Sequence, residues 1–129
     1  METERSTPAN EDYLEAIYLL ATKDSETPQG VRSVDFAEHL DVTKASVNKA
    51  VNTLKDHKLI MQEHYGDIEL TKEGYDYGKQ IYKGHKTLRR FLIDELGVEP
   101  KVDENEACLM EHAISQNTLD TWVDYMDKN

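Results

Sequence analysis

Ser33-Val-Asp-Phe-Ala-Glu-His-Leu-Asp-Val-Thr43-Lys-Ala-Ser-Val-Asn-Lys-Ala-Val-Asn-Thr-Leu54 is the stretch whose reading decides the fold. Ser33 is placed to cap a short helix whose apolar residues are Val34, Phe36, Ala37 and Leu40. After Asp41-Val42, Thr43 is placed to cap a second helix carrying Ala45, Val47, Ala50, Val51 and Leu54 at helical spacing. Two short helices joined by a tight turn, the second studded with Lys, Ser and Asn, are the pattern of a helix-turn-helix.

Upstream, Tyr13, Leu14, Ile17, Tyr18, Leu20 and Ala21 recur at helical spacing and predict a helix over 10–23, with Asn10 as its candidate cap. Residues 1–9 are polar and read as lacking fixed structure, and Asp24 to Gly30 reads as a loop. Downstream, Leu59–Tyr65 and Asp67–Leu70 flank Gly66, which predicts a small hairpin turning at Tyr65-Gly66-Asp67. Thr71 should cap a long helix over 72–96, ended by Gly97, with Pro100 preventing its resumption. A helix over 103–113 and a last one capped by Ser115 complete the chain. The expected fold is mainly α: a winged helix-turn-helix DNA-binding domain over 10–72, then a helical metal-binding and dimerisation domain over 73–129.

The net charge of -11 argues at first against a nucleic-acid partner, but its distribution reverses that. Residues 31–58 are net +1 and residues 72–90 net +4, whereas 1–30 carry -5, 59–71 carry -3 and 91–129 carry -8. A phosphate backbone is welcome only in the middle of the chain, because such binding is a local Lys/Arg effect. In a winged helix the second short helix enters the major groove, and here its exposed residues would be Thr43, Lys44, Ser46, Asn48 and Lys49. Asn suits adenine, Lys suits guanine or phosphate, and Ser or Thr suit phosphate or a thymine methyl. The competing reading is a helical unit used only for protein interaction. No apolar run approaches the roughly 18 residues that span a bilayer, so no membrane partner is expected. One cysteine excludes an internal disulfide framework and fits a reducing cytoplasm.

That cysteine lies in Cys108-Leu-Met-Glu111-His112, with counterparts in Asp12-Tyr-Leu-Glu15 and His85. Spacings of i, i+3 and i+4 put side chains on one helix face. Thiolate, imidazole and carboxylate together suit a first-row ion such as Fe(II), Mn(II), Co(II) or Zn(II). Taken singly, each of these residues has an ordinary explanation. Asp12 and Glu15 suit the first turn of a helix dipole, Glu111 and His112 a solvated face, and His85 a phosphate contact. Their joint occurrence with the lone cysteine favours a metal, and ligands spread over separate helices would couple metal binding to chain shape.

These residues resemble the metal-dependent repressor family of the diphtheria toxin repressor and the manganese transport regulator, over residues 10–127. The carriers are Glu11-Asp-Tyr-Leu-Glu-Ala-Ile-Tyr18, Ala37-Glu-His-Leu, Ser46-Val-Asn-Lys, Leu70-Thr-Lys-Glu-Gly74, His85 and Asn105-Glu-Ala-Cys-Leu-Met-Glu-His112. The resemblance implies a homodimer that binds double-stranded operator DNA when loaded with Fe(II) or Mn(II) and represses metal-uptake genes. It places metal ligands on Asp12, Glu15, His85, Cys108, Glu111 and His112. Position 108 is a glutamate in the manganese branch and a cysteine in the iron branch, as here. Where the iron branch has a methionine this chain has Asp12, and where that branch has an extra ligand it has Arg89. The site is thus a hybrid, in which thiolate pulls toward Fe(II), with Zn(II) or Co(II) also compatible, and the carboxylates accept Mn(II). The SH3-like domain of the iron branch is not expected here, which resembles the shorter manganese branch.

The expected dimer surface is Leu109, Ile114, Leu119, Trp122, Val123 and Met126; the alternative is that these close the monomer core. Two rival functions compete with this reading. One is a metal-independent DNA-binding adaptor. The other is a small metalloenzyme, which would need an open coordination position and a general acid or base beyond the ligands.

Overall fold

A computed structural model describes residues 7–25, 27–63 and 66–128, with residues 102–105 described in backbone only. Its elements run in the order α1 (Pro8–Thr22), α2 (Ser33–Leu40), α3 (Lys44–Asp56), β1 (Ile60–Met61), β2 (Glu69–Leu70), α4 (Lys72–Arg90), a π-helical turn (Phe91–Glu95), α5 (Pro100–Ala113) and α6 (Gln116–Lys128). Contacts group residues 6–79 into one compact unit and residues 80–129 into another, with the boundary falling inside α4.

In the first unit, α1 starts earlier than Asn10. Thr7 is its cap, accepting from the Asn10 amide at 3.3 Å, and Pro8 opens the first turn, where its missing N–H costs nothing. Residues 8 and 9 are therefore helical rather than part of an unstructured tail. Between α2 and α3 the chain reverses at Asp41, whose φ of 55° ends α2 and lets its amide bond back to Glu38. Arg32, not Ser33, occupies the cap position of α2, and it offers no capping side-chain bond. Thr43 caps α3 as expected, accepting from the Ser46 amide.

The core of this unit is the inner face of α1 (Leu14, Ile17) packed with Phe36, Val47, Val51, Leu54 and Ile68, all buried. Each such side chain contributes roughly 1.5–3 kcal/mol by leaving water. Tyr13 meets Phe36 edge to face at 6.2 Å. The wing is a two-stranded antiparallel hairpin pairing Ile60 with Leu70 and Met61 with Glu69. Its inward residues Ile60 and Ile68 are buried while Met61, Asp67 and Glu69 are exposed, the alternation expected of a one-sided strand pair. The expected turn at Tyr65 falls outside the described residues. Val31 and Ile68 exchange both backbone hydrogen bonds at 2.8 Å, adding a bridge before α2 to the wing.

Thr71 fastens the start of α4. Its hydroxyl donates to the Lys58 carbonyl at 2.8 Å and accepts from the Gly74 amide at 3.0 Å. A β-carbon on Gly74 would collide with the Leu59 carbonyl, and one on Gly78 would stand 2.9 Å from the Tyr18 β-carbon. These two glycines let α4 approach its neighbours at backbone distance.

In the second unit, α4 passes into a π-helical turn before Gly97, whose φ of 72° ends it as expected. Pro100 sits in the first turn of α5 and begins that helix three residues earlier than predicted, while the long helix before it does not resume. Leu88, Leu92, Ala107 and Leu119 form the core, with Phe91, Met110, Ile114 and Trp122 packed against it. Phe91 and Trp122 meet edge to face at 5.1 Å. Ser115 caps α6, accepting from the Thr118 amide at 3.2 Å. The far end of α6 is held to α4 by Arg90, which donates to the Met126 carbonyl at 2.7 Å, and by the Lys83–Asp127 ion pair at 3.4 Å.

Candidate metal centre and nucleic-acid interface

The predicted ligands fall on three helices. α1 in the first unit carries Asp12, which is half-buried, and Glu15, which is buried. Glu11, adjacent to them, is only 1% exposed, and its carboxylate accepts the Tyr77 hydroxyl at 2.7 Å. Sequence reading missed this pair. Glu11 was visible within the Glu11-Asp-Tyr-Leu-Glu15 string, but nothing in the sequence marks Tyr77 as its partner.

The other ligands belong to the second unit. His85 lies on α4 and is half-buried. On α5, one helical turn brings Cys108 and His112 together, with the thiol sulfur and an imidazole nitrogen within 4.8 Å of each other. Glu111 is 1% exposed, and one of its oxygens is likewise within 4.8 Å of a His112 nitrogen. This spacing brackets the separation of two donors on one first-row ion, whose bonds run about 2.0–2.3 Å. Burying a carboxylate as deeply as Glu111 is costly unless a positive charge or donor compensates it. Thiolate, imidazole and carboxylate on one partly buried helix face fit a divalent transition ion.

On α3 the outward residues are Lys44, Asn48 and Lys49, all exposed, while Val47, Ala50, Val51 and Leu54 face the core. Thr43 and Ser46 are bonded to each other, hydroxyl to hydroxyl, at 3.2 Å. Both therefore serve the start of the helix. The outer face of α3 thus carries two ammonium groups and one amide.

The chain matches the family described as iron dependent repressor, N-terminal DNA binding domain, over residues 6–68. It matches the family described as iron dependent repressor, metal binding and dimerisation domain, over residues 71–129. This chain belongs to the iron dependent repressor family. An uncharacterized HTH-type transcriptional regulator of Methanocaldococcus jannaschii is 34% identical over 118 residues, covering 92% of each chain. The HTH-type transcriptional regulator MntR of Bacillus subtilis is 35% identical over 115 residues, 89% of this chain and 78% of that one. Among solved structures, the manganese regulator SloR superposes with a TM-score of 0.73 at 28% identity, over 95% of this chain. The chain spans 54% of the SloR chain, so about half the length of that solved relative.

Membership gives the chain the family's DNA-binding and metal-binding and dimerisation domains. The expected dimer residues are divided by the structure. Leu119, Val123 and Met126 are buried within the chain, and Ile114 and Trp122 pack against its core while keeping some exposure. Only Leu109 of that set is freely exposed, at 63%. An amphipathic helix needs one buried stripe, and α6 uses Leu119, Val123 and Met126 for its own. Tyr125, outside the expected set, is exposed at 57%. Among the described residues no helix is long and apolar enough to cross a membrane.

Proposed function

We propose that the chain is a cytoplasmic, non-enzymatic, metal-responsive transcriptional repressor that binds operator DNA as a homodimer when loaded with Fe(II) or Mn(II) and controls metal-homeostasis genes. The observation that carries this reading is the thiol–imidazole–carboxylate group on α5, joined in one chain to a helix-turn-helix. Asp12, Glu15, His85, Cys108, Glu111 and His112 are the proposed ligands. When bound, a divalent ion supplies a compact double positive charge. In its absence the carboxylates of Asp12, Glu15 and Glu111 repel one another and no ionic link ties the DNA-binding unit to the dimerisation helices. The neutral imidazoles and the thiolate supply the directional donors, and the carboxylates balance the charge.

Lys44, Asn48 and Lys49 are proposed to read the major groove, with Thr43 and Ser46 shaping the helix tip they project from. Two copies would present their reading helices one duplex turn apart, about 34 Å. A coupling of roughly 1–3 kcal/mol between metal and DNA suffices to switch occupancy. Leu109, with the exposed parts of Ile114 and Trp122, is the proposed starting surface for the second copy, the buried members of the expected set being engaged in the core.

Titrating the apoprotein with Mn(II), Fe(II) and Zn(II), while following binding to DNA from upstream of its own gene, tests the reading. Metal-dependent binding is expected. DNA binding indifferent to metal would instead mark an adaptor, and metal uptake without DNA binding would mark another kind of metalloprotein. His112→Ala should abolish the metal response with the helical content intact.

A further inference from the structure

Within the first unit, α1 is locked against the opening turns of α4 at successive levels. Gly78 brings the α4 backbone against Tyr18, the Tyr18 and Tyr75 rings meet at a tilt with centroids 5.5 Å apart, and the Tyr77 hydroxyl reaches Glu11 at 2.7 Å. The first two contacts are apolar and set a distance. Only the third is directional, and it is a charge-assisted bond to a carboxylate that is 1% exposed. Glu11 is in the first turn of α1, where its amide also bonds the Thr7 carbonyl at 2.9 Å. Asp12 follows it by one helical step of about 100°, and Glu15 lies one turn further on nearly the same side. Pinning Glu11 therefore sets the rotation of α1 about its own axis, and with it the direction in which both of these carboxylates project.

We infer that Tyr77 is a positioning residue: by holding the buried Glu11 carboxylate it fixes the rotation of α1 and so presents Asp12 and Glu15 ready to take a divalent ion. This rests on the proposed metal reading. Tyr77 is not itself one of the proposed ligands and acts through Glu11. Partners that orient ligands from behind typically change metal affinity about 10- to 100-fold when removed.

The test compares the full-length wild type with Tyr77→Phe and with the double variant Glu11→Leu/Tyr77→Phe. Removing only the phenol leaves a buried charge behind and lowers stability, whereas the double variant removes charge and donor together and keeps the fold. Amide hydrogen exchange of α1 in the apoprotein is measured beside Mn(II) and Co(II) affinity by competition with a chelating dye. In both variants the first-turn amides of α1 are expected to exchange faster, metal affinity to fall about tenfold, and DNA affinity at saturating metal to stay at the wild-type value. Wild-type exchange and affinity in both variants would overturn the inference. So would a wild-type metal affinity in Tyr77→Phe with loss in the double variant alone, which would make Glu11 itself the ligand. A wild-type protein that takes up neither ion overturns the metal reading and this inference with it, and is told apart from the other failures because it needs no variant.

Discussion

The backbone of Gly74, in the first turn of α4, lies so close to the carbonyl of Leu59 that no β-carbon fits between them. The opposing atom is backbone and cannot rotate away. Gly74→Ala is therefore expected to destabilise the first unit by about 3 kcal/mol, the upper range for overpacking a tight contact. Urea denaturation followed by circular dichroism measures it. Unchanged or raised stability, the outcome of an ordinary exposed helical Gly→Ala change, would show that the approach is looser than described.

Lys58 holds a φ of 61° immediately before the wing, a left-handed conformation that costs a side-chain-bearing residue roughly 1–2 kcal/mol. Glycine removes that strain and returns part of the gain through the entropy of the unfolded chain. Lys58→Gly is expected to raise stability by about 0.5 kcal/mol, read as a higher urea midpoint at unchanged slope.

Arg90 and Lys83 both hold the end of α6, by different means. The Arg90 bond to the Met126 carbonyl is half-buried and charge-assisted, so Arg90→Ala should cost about 1.5–3 kcal/mol. The Lys83–Asp127 pair is exposed on both sides, so Lys83→Ala should cost less than about 0.5 kcal/mol. Limited proteolysis should release the C-terminal segment early in the Arg90 variant alone.

Cys108 is the soft donor of the proposed centre. Replacing it by a carboxylate in Cys108→Glu should move the preference from Co(II) and Zn(II) toward Mn(II), by about tenfold or ~1.4 kcal/mol in the ratio of affinities. Competition titrations on the two proteins give that ratio. An unchanged ratio would mean that the thiol does not contact the ion.

On α3, Lys49→Ala should weaken DNA binding across all sequences and lower the slope of log affinity against log salt by about one. Asn48→Ala should instead relax the preference for adenine at one position, by about 1–3 kcal/mol. Binding measured at several salt concentrations, on operator and scrambled duplexes, separates the two roles.

The fold was legible where a local rule determines it. Thr43, Thr71 and Ser115 were found as caps because a hydroxyl before an apolar-periodic run has a fixed job. Pro100 misled because the same ring that blocks the interior of a helix is well suited to its first turn. The π-helical turn at Phe91–Glu95 left no mark in the sequence, since its apolar residues read equally well as ordinary helix. In the candidate site, the grouping on α5 followed from i, i+4 spacing alone. The Tyr77–Glu11 bond did not, because it joins residues far apart in the chain and neither is unusual in its own surroundings. For the dimer surface, spacing finds the apolar stripe of α6 but does not say whether another chain or its own fold covers it.

The reciprocal bonds between Val31 and Ile68 have a mechanical consequence. They stitch the hairpin to the strand of chain that leads into α2, so a force applied to either is carried to the other without passing through a flexible joint. Shortening the hairpin would then do more than trim the wing: it would slacken the mounting on which the helix-turn-helix is carried.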